Sequence, residues 1–175
     1  PVRIFDPPEA ANPSLLLFFH GGGWVTGTVD SYDGVCSDMA AMTGCTVACV
    51  DYRLAPEHRF PAAPEDCYAA AREVFCNAAL LGVRREDIVL IGDSAGGNLA
   101  AVVSLMARDR GEFQPRRQIL IYPALASDHS EDSPYPSVRE NGTGCLLTAK
   151  PVRAVLDLYR FSDDDLTNPY FAPLN

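Results

Sequence analysis

The segment Gly92-Asp93-Ser94-Ala95-Gly96-Gly97 contains the residues of this sequence best suited to covalent chemistry. A serine in the order G-x-S-x-G, at a sharp turn between a strand and a helix, is the pattern of a nucleophile elbow. Here an apolar run precedes the segment and a helical pattern follows it, which argues against a chance turn. Side chains at Gly92 and Gly96 would collide with the neighbouring strand and helix. We therefore predict that Ser94 is a nucleophile near a helix N-terminus, where free N–H groups favour an oxyanion.

Three consecutive glycines in His20-Gly21-Gly22-Gly23-Trp24 form the second segment with a chemical role. Without side chains, their backbone N–H groups can converge on one anionic oxygen. Such an HGGG loop supplies oxyanion-hole donors in lipases and esterases. A phosphate-binding loop does not fit, because no Lys-Ser or Lys-Thr follows and no dinucleotide-binding fingerprint is present. His20 is predicted to fix the loop by hydrogen bonding rather than to act as a base.

Composition and charge restrict the partners of the chain. Its 175 residues are 47% hydrophobic and 21% charged, as in one ordinary globular domain. The net charge of −9 disfavours nucleic acid, whose phosphates require a basic surface. With Lys150 as the only lysine and no apolar run near the ~20 residues that span a bilayer, no membrane association is expected. No signal peptide is recognised, so a cytoplasmic location is expected.

The six cysteines lack the spacing of a metal site. None forms a CxxC pair, and no histidine lies at zinc-finger spacing from them, so neither a metal nor a cofactor is expected. We interpret them as small buried residues of a reducing compartment, with a disulfide between two of them as the alternative.

Alternating strand-like and helical patterns predict an α/β fold, with a mostly parallel sheet and helices on both faces. Most of the predicted strands are apolar on both faces, as strands buried between two helix layers should be. Strands are predicted at 2–5, 15–19, 46–50, 88–91 and 118–122. Helices are predicted at 32–42, at 64–81 with Gly82 ending it, at 98–108 and at 148–159, and 127–144 is predicted to be an exposed polar excursion.

The order of these motifs resembles the hormone-sensitive lipase family of α/β-hydrolases, in its bacterial esterase branch with a Gly-Asp-Ser-Ala-Gly-Gly elbow. The resemblance covers nearly the whole chain. Besides the elbow and the glycine loop it rests on Asp51-Tyr52-Arg53-Leu54-Ala55-Pro56-Glu57, Phe60-Pro61-Ala62-Ala63 and Ile121-Tyr122-Pro123-Ala124.

The resemblance implies a carboxylic ester hydrolase that forms an acyl-enzyme with small, short-acyl esters. It implies Ser94 as the nucleophile and the backbone N–H groups of Gly22, Gly23 and Ala95 as the oxyanion hole. It also implies that Trp24 and Asp93 line the substrate pocket, and that residues 51–57 form a structural turn that braces the site.

The chain departs from the family pattern at both ends. In the family, cap helices come first, and the triad acid and histidine follow on two further strands. Of the three histidines here, His58 lies in the bracing turn and His129 lies upstream of the family's base. We therefore expect residues 1–175 to be a partial α/β-hydrolase domain, truncated at both ends and without the triad acid and histidine. A rescued pair of Ser94 and His129 is an alternative.

Two further hypotheses stay open. The chain is either a non-catalytic ligand-binding module of the same fold or a fragment that is inactive by itself. The intact Ser94 and glycine loop favour the hydrolase for the parent protein, whereas inactivity is predicted for the isolated chain.

Overall fold

The computed structural model, which describes residues 1–9 and 12–174, is built on one five-stranded sheet in the order β1-β3-β2-β4-β5. The first strand is antiparallel to its neighbour and the other pairs are parallel, so the predicted mostly parallel sheet is confirmed. The strands are β1 (Val2–Phe5), β2 (Leu15–Phe19), β3 (Thr46–Val50), β4 (Ile88–Asp93) and β5 (Arg117–Ile121). The helices are α1 (Asp33–Thr43), α2 (Ala62–Cys76), α3 (Ala95–Arg110), α4 (Pro136–Asn141) and α5 (Ala149–Tyr159), with short 3₁₀ turns at Arg85–Asp87 and Asp163–Thr167.

Alternation of side chains along β2 divides the core into two layers. Leu15, Leu17 and Phe19 pack with α2 and α3 on one face of the sheet. Leu16 and Phe18 pack with α1 on the other face. All five side chains are 7% exposed or less, as expected for a strand between two helix layers.

The two edge strands are less buried than strands between two helix layers, the environment predicted for most of the strands. In β1, Val2 and Ile4 are 40% and 46% exposed, and in β5, Ile119 is 47% exposed. An edge strand has a neighbour on one side only, and the helices over the central strands leave its side chains partly in solvent.

The second helix ends earlier than its apolar periodicity predicts. It ends at Cys76 rather than at 81, and the Asn77 side chain donates to the Glu73 carbonyl oxygen at 2.9 Å. The chain then turns, so that Ala78 is buried whereas Leu80 is 86% exposed. Gly82 lies at the end of this turn with a φ of 70° and does not end the helix. The apolar residues after Cys76 therefore keep a helical spacing by coincidence, although they lie in a turn.

Smaller differences concern α3 and the polar segment 127–144. The third helix begins at Ala95, three residues before its predicted start, so that two glycines form its first turn. The polar segment contains the short helix α4, none of whose residues is buried.

None of the helices within the described ranges has the length and apolar character needed to cross a membrane.

The junction of β4 and α3 lies against the end of β2 at a distance that only glycine permits. A Cβ atom on Gly96 would be 1.9 Å from the Phe19 carbonyl oxygen, and one on Gly92 would be 2.3 Å from the Gly96 carbonyl oxygen. Real Cβ atoms essentially never come within 3.0 Å of another heavy atom. The predicted collision with the neighbouring strand and helix is thus confirmed at both positions.

The substitution Gly96→Ala is expected to lower the free energy of unfolding by about 3 kcal/mol or more, the upper end of the cost of overpacking a core. Gly34→Ala is the matched control, because a Cβ atom there meets nothing within 4 Å and the residue lies in α1. Alanine is the better helix former by about 1 kcal/mol, so the control should not lose stability. Urea unfolding monitored by circular dichroism measures both, and equal stability of the two variants would contradict the close packing.

Candidate active site

Ser94 lies at the turn between β4 and α3 in a strained backbone conformation, with φ 54° and ψ −113°. Such a conformation persists only where the surrounding structure imposes it. The Ser94 N–H donates to the Ile121 carbonyl oxygen at 2.9 Å, and the Ser94 carbonyl oxygen accepts from the N–H groups of Asn98 and Ala124 at 3.0 and 3.1 Å. The hydroxyl does not cap α3, and Ser94 lines a cavity.

The cavity at Ser94 has a volume of about 300 Å³ and lies between the glycine loop and α5. It is predominantly apolar, as small-molecule sites are. The structure thus brings Ser94 together with Gly22, Gly23, Ala95 and Trp24, all of which line the cavity. The other lining residues are Ala124, Ala126, His129, Leu147, Pro151, Val152, Val155 and Leu156.

The glycine loop is a tight turn that leaves N–H groups free next to Ser94. Gly22 and Gly23 have positive φ angles of 115° and 62°. The Gly22 carbonyl oxygen accepts from the N–H groups of Val25 and Thr26 at 3.2 and 3.0 Å. In the part of the chain that the structure describes, no backbone acceptor engages the N–H groups of Gly22 and Gly23. Free N–H donors beside a serine hydroxyl are suited to hold an oxyanion.

Ala95 offers a third donor for the same purpose. It is the first residue of α3, and the first N–H groups of a helix have no partner within the helix. These groups carry the positive end of the helix dipole. An anionic oxygen bound between Ala95 and the glycine loop would therefore meet donors from both sides.

His20 and the segment 51–57 hold the glycine loop from beneath. The fully buried His20 ring stacks on Tyr52 with centroids 4.3 Å apart, and its Nδ1 lies 2.8 Å from the Gly21 carbonyl oxygen. The Tyr52 hydroxyl donates to the His20 carbonyl oxygen at 2.7 Å. The Ala55 N–H donates to the Trp24 carbonyl oxygen at 2.8 Å. Burial lowers the pKa of His20, which favours the neutral ring. These contacts agree with a structural role for both elements.

Trp24 joins the cavity to an aromatic cluster that anchors α5. Its ring stacks on Tyr159 with centroids 4.4 Å apart, and Phe60 and Phe171 contact the same tyrosine. The Phe60 N–H donates to the Tyr159 carbonyl oxygen at 2.8 Å, which ties the end of α5 to the segment before α2. The apolar face of α5 thereby covers the cavity, a role that its sequence pattern alone did not indicate.

His129 is the histidine that lines the cavity of Ser94. His20 is buried beneath the loop and His58 is exposed on the bracing turn. Burial lowers the pKa of His129, so its ring favours the neutral form that can accept a proton. The neighbouring Asp128 carboxylate accepts the Ser130 N–H at 2.9 Å. Among residues 1–9 and 12–174, no carboxylate forms a hydrogen bond with the His129 ring.

Asp93 does not line the cavity, which differs from its expected place in the substrate pocket. Its carboxylate instead accepts the Gly21 N–H and the Tyr32 hydroxyl, both at 2.9 Å. Both carboxylate oxygens thus accept hydrogen bonds from the glycine loop and from the residue before α1.

The cysteines form no disulfide, and the thiols of Cys36, Cys45, Cys49 and Cys67 are buried. Cys76 and Cys145 are exposed, in contrast to the interpretation of all six as buried. Across the described residues, no three His, Cys, Asp or Glu side chains are grouped as metal ligands would be.

Known proteins are similar to this chain in sequence and in fold. A family model described as the alpha/beta hydrolase fold matches residues 16–175. The chain is 37% identical over 178 residues to an ethyl acetate hydrolase of Pseudomonas putida, covering 99% of the chain and 55% of that protein. It is also 37% identical over 175 residues to an arylesterase of Saccharolobus solfataricus, covering 99% of the chain and 56% of that protein.

A solved structure gives the same result. The hyperthermophilic esterase of the archaeon Pyrobaculum calidifontis superposes with a TM-score of 0.89 at 43% identity, covering 99% of this chain and 56% of that one. The chain therefore spans about half the length of the relatives that it matches. With its sheet order, its elbow and these relatives in agreement, the chain belongs to the α/β-hydrolase fold family, and the relatives that it resembles are esterases of the hormone-sensitive-lipase-like kind, as the order of its motifs predicts.

Proposed function

We propose that this chain carries the nucleophile and the oxyanion hole of a carboxylic ester hydrolase. The observation that carries the proposal is that Ser94, Gly22, Gly23 and Ala95 line one apolar cavity. The cavity volume of about 300 Å³ supports small, short-acyl esters as substrates. The names of the relatives, an ethyl acetate hydrolase and an arylesterase, support the same class.

The proposed reaction proceeds through an acyl-enzyme. The Ser94 oxygen attacks the carbonyl carbon of the ester while a base takes the hydroxyl proton. The carbonyl oxygen becomes an oxyanion, and the N–H groups of Gly22, Gly23 and Ala95 donate to it. Collapse of the intermediate breaks the bond to the alcohol, which leaves with the proton, and water then releases the acid from the serine by the same steps in reverse.

We propose that the base and its acid partner come from sequence that the esterase relatives carry beyond the matched half. The absence of a carboxylate on the His129 ring, within the described part of the chain, supports this over a Ser94–His129 pair. We also propose a small ester as the ligand, no nucleic-acid partner and a cytoplasmic location. The net charge of −9 supports the proposal that nucleic acid is not a partner.

Ser94 should be the residue that reacts with a fluorophosphonate probe. In the protein extended by its flanking sequence, Ser94→Ala should abolish both labelling and ester turnover, because the attacking oxygen is lost. Ser104→Ala is the matched control, since this serine lies in α3, the helix that Ser94 precedes, and its hydroxyl donates to the Ala100 carbonyl oxygen at 3.0 Å. Mass spectrometry of the labelled peptide identifies the site, and labelling that survives Ser94→Ala would refute the assignment.

Gly22→Ala should lower turnover by about 10² to 10³, the usual cost of losing one oxyanion-hole donor. A Cβ atom on Gly22 would be 2.1 Å from the Thr26 carbonyl oxygen, so the loop and its N–H groups must shift. Gly82→Ala is the control, because Gly82 also has a positive φ of 70° but has nothing within 4 Å of its Cβ position. Equal turnover of p-nitrophenyl butyrate by the two variants would show that the glycine loop is only structural.

The chain of 175 residues by itself should hydrolyse no ester at a useful rate. In one serine protease, loss of the base costs about 10⁶ in turnover, which is roughly 8 kcal/mol of barrier. The assay compares p-nitrophenyl acetate turnover by the chain and by its Ser94→Ala and His129→Ala variants. Robust turnover that both substitutions abolish would show instead that His129 serves as the base.

A further inference from the structure

Asp93 connects the turn that carries Ser94 to the loop that carries the oxyanion donors. It is the last residue of β4 and directly precedes the serine. Its Oδ1 accepts the Gly21 N–H at 2.9 Å, and its Oδ2 accepts the Tyr32 hydroxyl at 2.9 Å. The Gly21 N–H also approaches the Tyr32 hydroxyl oxygen at 3.1 Å. The three groups therefore form one closed set of hydrogen bonds beside the cavity but outside its lining.

Gly21 is fitted to this set by its lack of a side chain. A Cβ atom there would be 2.4 Å from Asp93 Oδ2 and 2.9 Å from the Tyr32 hydroxyl oxygen. Gly22 and Gly23 have positive φ angles, whereas the φ of Gly21 is not in that range. Close approach of Asp93 and Tyr32, rather than backbone conformation, is thus the reason for a glycine at this position.

The chemistry of the three groups favours a lasting connection. Both hydrogen bonds to the Asp93 carboxylate are of the charge-assisted kind, which is about twice as strong as a neutral one. No Lys, Arg or His within residues 1–9 and 12–174 forms an ion pair with Asp93, so these donors are what it binds. Burial and the carboxylate raise the pKa of Tyr32, which keeps its hydroxyl a donor at neutral pH.

We propose that Asp93 and Tyr32 are positioning residues that set the distance between the Ser94 hydroxyl and the oxyanion donors. The inference rests on the proposed ester hydrolysis. Asp93 is bonded to Ser94 along the chain and Gly21 is bonded to Gly22, so the contact between Asp93 and Gly21 links nucleophile and donor over a few bonds. Phe19 and Gly92 are register partners in adjacent parallel strands, and the two segments leave the sheet side by side. The carboxylate fixes their separation beyond the point where the strand ladder ends.

The two residues should therefore affect the transition state more than substrate binding. The oxyanion exists only after attack, and displacing its donors weakens an interaction that the bound ester does not make. Asp93→Asn and Tyr32→Phe should each lower kcat about 10- to 100-fold, since a misplacement of ~1 Å costs up to ~10² in rate. KM should stay within about twofold. The double variant should lose little more than the worse single variant, because both act on one connection.

The experiment uses p-nitrophenyl butyrate and the protein extended by its flanking sequence. Asp109→Asn and Tyr170→Phe are the matched controls, because the Tyr170 hydroxyl donates to Asp109 Oδ2 at 2.7 Å in a second Tyr–Asp pair outside the cavity. These controls should leave kcat unchanged. A raised KM with an unchanged kcat for Asp93→Asn would mean that Asp93 contacts the substrate, and it would overturn the inference.

A second measurement does not depend on turnover. Amide hydrogen exchange in the 175-residue chain should become faster in the segment 20–26 for Asp93→Asn and Tyr32→Phe, while α3 and the two control variants keep their protection. Unchanged exchange in 20–26 would refute the positioning role. If the unaltered extended protein hydrolyses no ester, the proposed function fails, and the exchange data still decide whether these residues hold the loop.

Discussion

The close approach of the Ser94 turn to the end of β2 is the constraint on which the rest of the site depends. A Cβ atom on Gly96 would collide with the Phe19 carbonyl oxygen, because α3 starts directly beside the adjacent strand. The chain must then reverse within one residue, and Ser94 takes the strained conformation that results. Three backbone hydrogen bonds hold it there. The strain is thus imposed by packing, and it directs the hydroxyl toward the cavity.

The glycine loop needs a different kind of support, because glycines contribute no packing of their own. Neighbouring segments supply it: Tyr52 and Ala55 bind its carbonyl oxygens from beneath, and Asp93 binds its first N–H from the side. These contacts involve carbonyl groups of the loop and the Gly21 N–H. They leave the N–H groups of Gly22 and Gly23 free. Free donors at fixed positions are what electrostatic stabilisation of an oxyanion requires, since no reorganisation is needed when the charge develops.

The cavity has the low polarity that makes such donors effective. The side chains of α5 cover it, and the stacking of Trp24 on Tyr159 holds α5 in place. An N–H donor facing a developing charge is worth more where water is excluded than in bulk solvent. The surface charge of the chain is strongly negative, yet within the part that the structure describes no acidic residue lines this cavity. This low polarity supports the neutral ester that is proposed as the ligand.

Local spacing in the sequence determined the elbow at Ser94, the glycine loop and the positions of all five strands to within about two residues, whereas the bracing turn at 51–57 followed from the family resemblance. The elbow depends in part on short-range geometry, because a Cβ atom on Gly92 would be 2.3 Å from the carbonyl oxygen of Gly96, four residues later. Only the tertiary structure decided where Asp93 points, which places it against Gly21 rather than in the pocket, because its partner is 72 residues away in the sequence. It also decided that α2 ends at Cys76, that the edge strands are half in solvent, and that α5 and His129 line the cavity. The exposure of the edge strands and the lining of the cavity depend on which distant surface a side chain meets, and periodicity within one segment carries no information about that surface.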